Sequence, residues 1–596
     1  MTFLRFPTRL ILILSVGATC AWADTNPTQE RADRFLALVN SAYQAVSTVE
    51  ANAIWDASTD VSPVHDAAAE TASKARAAFM GNPTLIRETK ALLLLRQDLN
   101  AITTRQLERL ILISAEGPMT NPELTRARIT AETAQASTMN GFEFRLHGQP
   151  VSVNEIDHLL ATTTDLTERR AVWEASKESG KALKDGLIKL RGLRNGVAQE
   201  MGFQDYFALQ VAGYGMTTEE MVKLNDDFMQ VLRPLYLQLH TWAKHELAKK
   251  FSQPVPDRIP AHWINNRWSQ EWDGLVGAAD LEPYFKDKSP EWIAKASEDF
   301  YVGLGFPRLP QSFWDKSDLF PVAADSPRKK NTHASAWHLD LENDLRSLQS
   351  IESNSWWFNT NHHEFGHIYY FMAYTNPDVP PLLRTGANPA FHEGFGELTA
   401  LASAQVPYLK TLGVLPADFQ ADETAFLLSN ALGTGIPFIF WSSGTMTHWE
   451  ADIYANNLPP EQWNARWWHY VREFQGIEPP AERGEEWCDA ATKTHINDTP
   501  AYYYSYAIAQ VFKFQLHDHI ARKILHQPPQ SCNYAGNKEV GDFFREIMAK
   551  GANTDWRQVL KDTTGEELST RAMVAYYAPL LKWLEEQNQG RKIGWE

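Results

Sequence analysis

Apolar residues recur at three- and four-residue spacing along most of this chain, with polar residues between them, the period of amphipathic helices. Arg34 to Val49 reads this way, and Asp66 to Met80 is an Ala-rich segment suited to helix. Thr163 to Met201 carries Val172, Trp173, Leu183, Leu187, Leu190 and Leu193 on such a stripe. Met216 to Phe251 predicts another long helix, opened by the start signal Thr217-Thr218-Glu219-Glu220. Trp356 to Tyr374 predicts a helix that stops at Asn376-Pro377. Asn388-Pro389 predicts the opening of a further one, with Asn as cap and Pro in the first turn. Strand-like alternation is confined to His333 to Leu341. The expected fold class is mainly α, with a small β element near the middle.

Composition adds limits. No Pro/Gly/Ser-rich linker, repeat or charge block divides the 596 residues, so a single large domain is expected. Hydrophobic residues at 44% and charged residues at 22% are those of a globular protein. The 21 Trp fit aromatic packing between helices better than carbohydrate binding. A net charge of −17 argues against nucleic acid as a partner. Arg5 and Arg9, the apolar run Leu10 to Val16 and the small-x-small site Ala21-Trp22-Ala23 read as a signal peptide over residues 1–23. Residues 24–596 would then form the mature domain, secreted or periplasmic after cleavage near Ala23. Ala425 to Trp441, the most apolar later segment, is interrupted by Ser429, Asn430, Thr434 and Pro437, so no membrane anchor is expected. Cys488 and Cys532 remain after the leader; export permits a disulfide between them, and spacing does not decide it.

The candidate chemistry sits on the Trp356 to Tyr374 helix. His363-Glu364-Phe365-Gly366-His367 is a His-Glu-x-x-His run, and residues four apart share one helix face. Two imidazoles so placed can reach one zinc ion, and the adjacent carboxylate can work on a water there. A catalytic zinc normally has three protein ligands. Glu393, on the helix opened by Asn388-Pro389, is the expected third, with Glu397 four residues on and able to accept a hydrogen bond from a ligand imidazole. Glu364 is the expected general base. The apolar neighbours Trp356, Trp357, Phe358, Phe365, Ile368 and Phe371 predict burial of this helix, and buried His and Glu need partners. His362 and His392 read as structural, pointing off the metal-facing stripe.

With these residues in place, the chain resembles the angiotensin-converting-enzyme family of zinc peptidyl-dipeptidases. Gly386-Ala387-Asn388-Pro389-Ala390-Phe391-His392-Glu393 is similar to that family's third-ligand segment, and His333-Ala334-Ser335-Ala336-Trp337 to its substrate strand. Lys493-Thr494-His495-Ile496, Tyr503-Tyr504-Ser505-Tyr506 and Phe514-Gln515-Leu516-His517 resemble its C-terminal active-site segment. The resemblance implies two helical halves around a deep cleft, one zinc held by His363, His367 and Glu393, and release of C-terminal dipeptides from oligopeptides with a free carboxylate. It further implies that His495 and Tyr506 stabilise the oxyanion. His333 and the backbone of Ala334 and Ala336 would hold the substrate as an added strand, and Lys493 and Tyr503 would grip its C-terminal carboxylate.

The chain also departs from the family pattern. The His367–Glu393 segment is longer, which predicts a bulge near Pro377 to Pro381; Glu397 replaces an Asp; and the His495–Tyr503 segment is a residue longer. A carboxylate-binding Gln falls at Asn265 or Asn266. Ser505 stands where animal relatives carry a chloride-binding Arg, and Val471 follows Trp467-Trp468 at the other chloride site, so chloride dependence is expected to be weak or absent. The alternative readings are a related helical zinc oligopeptidase, a metallocarboxypeptidase releasing single residues, and a peptide-binding protein that keeps zinc only for structure.

Overall fold

Helix starts in this chain are written by local side chains. The computed structural model describes residues 26–275, 281–323, 326–331 and 333–596, so the signal peptide expected at 1–23 lies outside the described residues. The first helix, Pro27–Thr59, begins earlier and ends later than its apolar stripe, because Asn26 caps it ahead of Pro27 and buried Trp55 anchors its last turns. Pro63–Met80 follows, capped by Ser62. The segment read as one helix from Thr163 to Met201 is two. Asp165 accepts hydrogen bonds from the Thr167 and Glu168 backbones and starts Leu166–Lys177, and a turn at Glu178 separates it from Ser179–Met201. Thr218–Lys250 carries the reciprocal Thr217/Glu220 capping box.

The apolar interior divides unequally. The N-terminal helices close a small core around Leu36, Leu92, Leu107 and Leu110. A much larger core includes Trp441, Trp449, Trp463 and Trp467, which pack edge-on against one another. The sheet content is minor, as expected. Ser335–His338 pairs antiparallel with Leu345–Leu348, and among the described residues no strand pairs with its other edge. The first helix braces this hairpin: Trp55 meets Trp337 edge-on at 5.5 Å, and Gln44 donates to the Asp340 carbonyl.

Two expectations need correction or completion. Glu423–Tyr454 forms a 32-residue helical run that is long and apolar enough to cross a membrane, despite its polar interruptions. The run is kinked at Ala431–Gly435, where Gly433 leaves the helical conformation with ψ of −123°, and a turn of π-helix follows at Phe440–Met446. Leu432, Ile436, Ile439, Trp441 and Trp449 are buried among the chain's own helices. Cys488 and Cys532 are both free and buried, so the permitted disulfide is not formed.

Candidate functional site

Two helices present the donor set. Ser355–Tyr374, capped by Asn354, carries His363, Glu364 and His367. Pro389–Ser403 starts where the sequence places it, with the Asn388 side chain accepting from the Ala390 and Phe391 backbones, and carries Glu393 and Glu397. These helices approach closely because glycines face each other: a Cβ on Gly366 would lie 3.3 Å from the Gly396 Cα, and a Cβ on Gly396 would stand 2.7–2.8 Å from ring atoms of His363. The result is convergence. His363 Nε2 lies 3.1 Å from His367 Nε2 and 3.6 Å from Glu393 Oε2, and the three donor atoms all fall within 4.8 Å of one another. Tetrahedral zinc with bonds of roughly 2.0–2.2 Å sets neighbouring donors about 3.3–3.6 Å apart. Two imidazoles and a carboxylate at these separations fit that ion.

Charge in the site follows from burial and proximity. Burial works against the His363 imidazolium, but the Glu393 bond and neighbouring carboxylates hold it well above the ordinary value. Burial likewise opposes the Glu393 carboxylate, which His363 nonetheless keeps well below the usual range. Together they mark a place that favours positive charge. Burial lowers His367 to about 4, so its imidazole is neutral and free to ligate. Glu364 is 6% exposed, and burial pushes its carboxyl up to about 7 against the pull of His363. A cavity of about 360 Å³ joins His363, Glu364, His367 and Glu393 to His333, Ala334, Ser335 and Ala336 of the strand segment.

Replacing Gly396 by Ala is expected to weaken zinc binding about 10- to 100-fold by displacing His363. Chelator competition on folded protein measures it; unchanged affinity would show that the helices part to make room.

Glu397 lies within electrostatic reach of the His363 and His367 rings. Its carboxylate accepts from Lys513 Nζ at 3.1 Å and Gln510 Nε2 at 3.2 Å, which ties the Pro389–Ser403 helix to Tyr504–His519. His392 also neighbours a ligand imidazole: its Nδ1 lies 3.4 Å from His367 Nδ1, and its ring stacks on Tyr370. His392 lines the cavity but is not among the three converging donors. His362 is structural: its ring meets the Phe358 carbonyl, Ser297 and Tyr408.

A second cluster gathers the C-terminal residues. His495 Nε2 lies 3.4 Å from the Tyr506 hydroxyl, and the His495, Tyr503 and Tyr506 rings pack together. Burial, then Lys493, lowers His495 to about 4, leaving a neutral imidazole. Tyr506 lies within electrostatic reach of Glu393; burial and that carboxylate push its hydroxyl up to about 12. Lys493 Nζ sits over the Trp268 ring at 4.2 Å and the Tyr503 ring at 5.4 Å. Its hydrogen-bond acceptor is Gln270 Oε1 at 2.7 Å. The glutamine beside this lysine is thus Gln270, not Asn265 or Asn266. Asn265 bonds Asp273, and Asn266 accepts from the Trp268 and Gln270 backbones in the turn that delivers Gln270. The motif spacing alone points a few residues short of it.

Comparison with known proteins bears on the whole assembly. The family model described as angiotensin-converting enzyme, a peptidase family, matches residues 26–595. An angiotensin-converting enzyme of Theromyzon tessulatum is 32% identical over 453 residues, 73% of this chain and 72% of that protein. Those of Mesocricetus auratus and Sus scrofa are each 29% identical over 74% of this chain. The chain spans 34% and 35% of the length of these two mammalian proteins.

Proposed function

The chain belongs to the angiotensin-converting enzyme family of zinc peptidyl-dipeptidases, and on that premise we propose that it releases dipeptides from the free C-terminal end of oligopeptides. The observation that carries this reading is the convergence of His363, His367 and Glu393 on one point, with Glu364 and an unpaired strand edge around the same cavity. Zinc held by those three side chains would supply Lewis acidity, acidifying a water and polarising the scissile carbonyl.

The remaining work falls to the chain itself. Glu364 takes the proton of the attacking water and passes it to the leaving amine, a task suited to a carboxyl raised to about 7. His495, neutral, and the Tyr506 hydroxyl donate to the oxyanion as it forms. The open edge of Ser335–His338, with His333 and Ala334 before it and Ala336 within it, receives the substrate backbone as an added strand. Lys493 and Tyr503, with Gln270 turned toward the same ammonium, bind the C-terminal carboxylate. The distance between that cation and the metal helices sets the length of the released fragment.

Zinc quantification combined with product mass spectrometry on one free-acid nonapeptide tests the reading. One zinc per chain and dipeptide products are expected. Single residues or internal fragments would reassign the enzyme as a carboxypeptidase or an oligopeptidase, and peptide binding without turnover would make it a binding protein.

Chloride should matter little. Ser505 is buried and accepts from the Tyr214 hydroxyl at 2.8 Å, and Val471 is buried and uncharged. Lys177, packed over Trp173 and Trp268, is pushed well below its ordinary value by burial. A severalfold rate increase on adding chloride to a halide-free assay would contradict this.

A further inference from the structure

Between His495 and Tyr506 the chain must turn from the short helix Thr494–Asp498 into the helix Tyr504–His519. It does so through Ala501, which has φ of 55°, a left-handed conformation that disfavours any residue with a Cβ. Such a residue persists where its surroundings hold it. Ala501 is fully buried, and its N–H donates to Glu450 Oε1 at 2.7 Å. Glu450 is 1% exposed and sits on Thr447–Tyr454, the end of the long apolar run. Among the described residues this is the one hydrogen bond its carboxylate makes. The upstream half of the turn is pinned separately: Arg194 donates to the Ile496 and Asn497 carbonyls, and Gln135 donates to the Asn497 side chain. Directly after Ala501, the Ser505 and Tyr506 backbones bond to the Tyr502 and Tyr503 carbonyls. Whatever fixes Ala501 therefore fixes the direction in which Tyr503 and Tyr506 leave the turn.

We propose that Glu450 is a positioning residue for the reaction: by holding Ala501 in its left-handed turn it sets Tyr503 and Tyr506 against His495. The inference rests on the reading of His495 and Tyr506 as oxyanion donors and of Tyr503 as a carboxylate ligand.

The test uses the full zinc-loaded protein and a free-acid peptide. Glu450→Ala is expected to lower kcat about 10²-fold and raise KM, with zinc content unchanged. Glu450→Asp, which retracts the acceptor by one methylene while keeping the carboxyl group, should lose about tenfold in kcat and serves if the Ala variant does not fold. Glu450→Gln, which keeps an acceptor oxygen, should recover kcat to within about threefold of the parent. Combined with Tyr506→Phe, Glu450→Ala should cost little further kcat, because both act on the same hydroxyl. Parent-like kcat in both the Ala and Asp variants, or losses that simply multiply those of Tyr506→Phe, would overturn the proposal. A parent protein that cleaves no peptide overturns the peptidase reading first, before any variant is compared.

Discussion

Replacing Glu364 by Gln leaves a folded protein that still binds one zinc per chain but loses at least about 10³-fold in kcat, within the range that general-base catalysis contributes. The donors lie on His363, His367 and Glu393, so the metal site keeps its three side chains. Gln matches Glu in shape, and the burial that raises the Glu364 carboxyl to about 7 opposes its charge. Removing that charge therefore places no new strain on the fold. What the amide lacks is a site to take the water's proton. Metal analysis, thermal melting and single-turnover kinetics on the same preparation separate these effects. A variant that keeps more than about a tenth of parental kcat would exclude Glu364 as the base.

Amidating the peptide C-terminus is the second large perturbation, expected to lower kcat/KM about 10²- to 10³-fold, because a buried charge would be left without its partner. Lys493 is 6% exposed, and no carboxylate forms an ion pair with it among the described residues; its company is Gln270 and two aromatic faces. Burial pushes its ammonium down to about 7. The sign follows: below that pH the empty site carries the cation, and above it the cation is lost, so binding a carboxylate must recapture a proton. KM for free-acid peptides should then rise about tenfold per unit as pH climbs above 7, while amidated peptides show no such limb. Lys493→Met should abolish both the pH limb and the preference for a free acid. Retention of either in the Met variant would move the anchor elsewhere.

What could be read from sequence was what is local. The His363/His367 pair, the Asn388-Pro389 opening and the Thr217/Glu220 start all depend on neighbours within one or two helical turns, and all stand in the structure where expected. What was not legible there concerns partners far apart along the chain. Glu397 faces the right helix face, but which group meets it depends on how Tyr504–His519 packs, and that brings Lys513 and Gln510. Gln270 reaches Lys493 only through an irregular turn with no periodic signature. His392 was placed by helix phase alone, and its position beside His367 depends on the close approach at Gly366 and Gly396. Ala501 gives no sign in its side chain of the backbone angle it must adopt. The break at Glu178 escaped notice because the apolar stripe runs on across it.

The exposed edge of Ser335–His338 carries a final consequence. Its unpaired amides and carbonyls are met only by a guest whose own main chain is bare. A peptide coiled into helix, or a tail tied into another sheet, has already spent those groups on itself. On the proposed strand-addition reading, selection at this cavity begins with disorder in the guest and only afterwards consults its side chains.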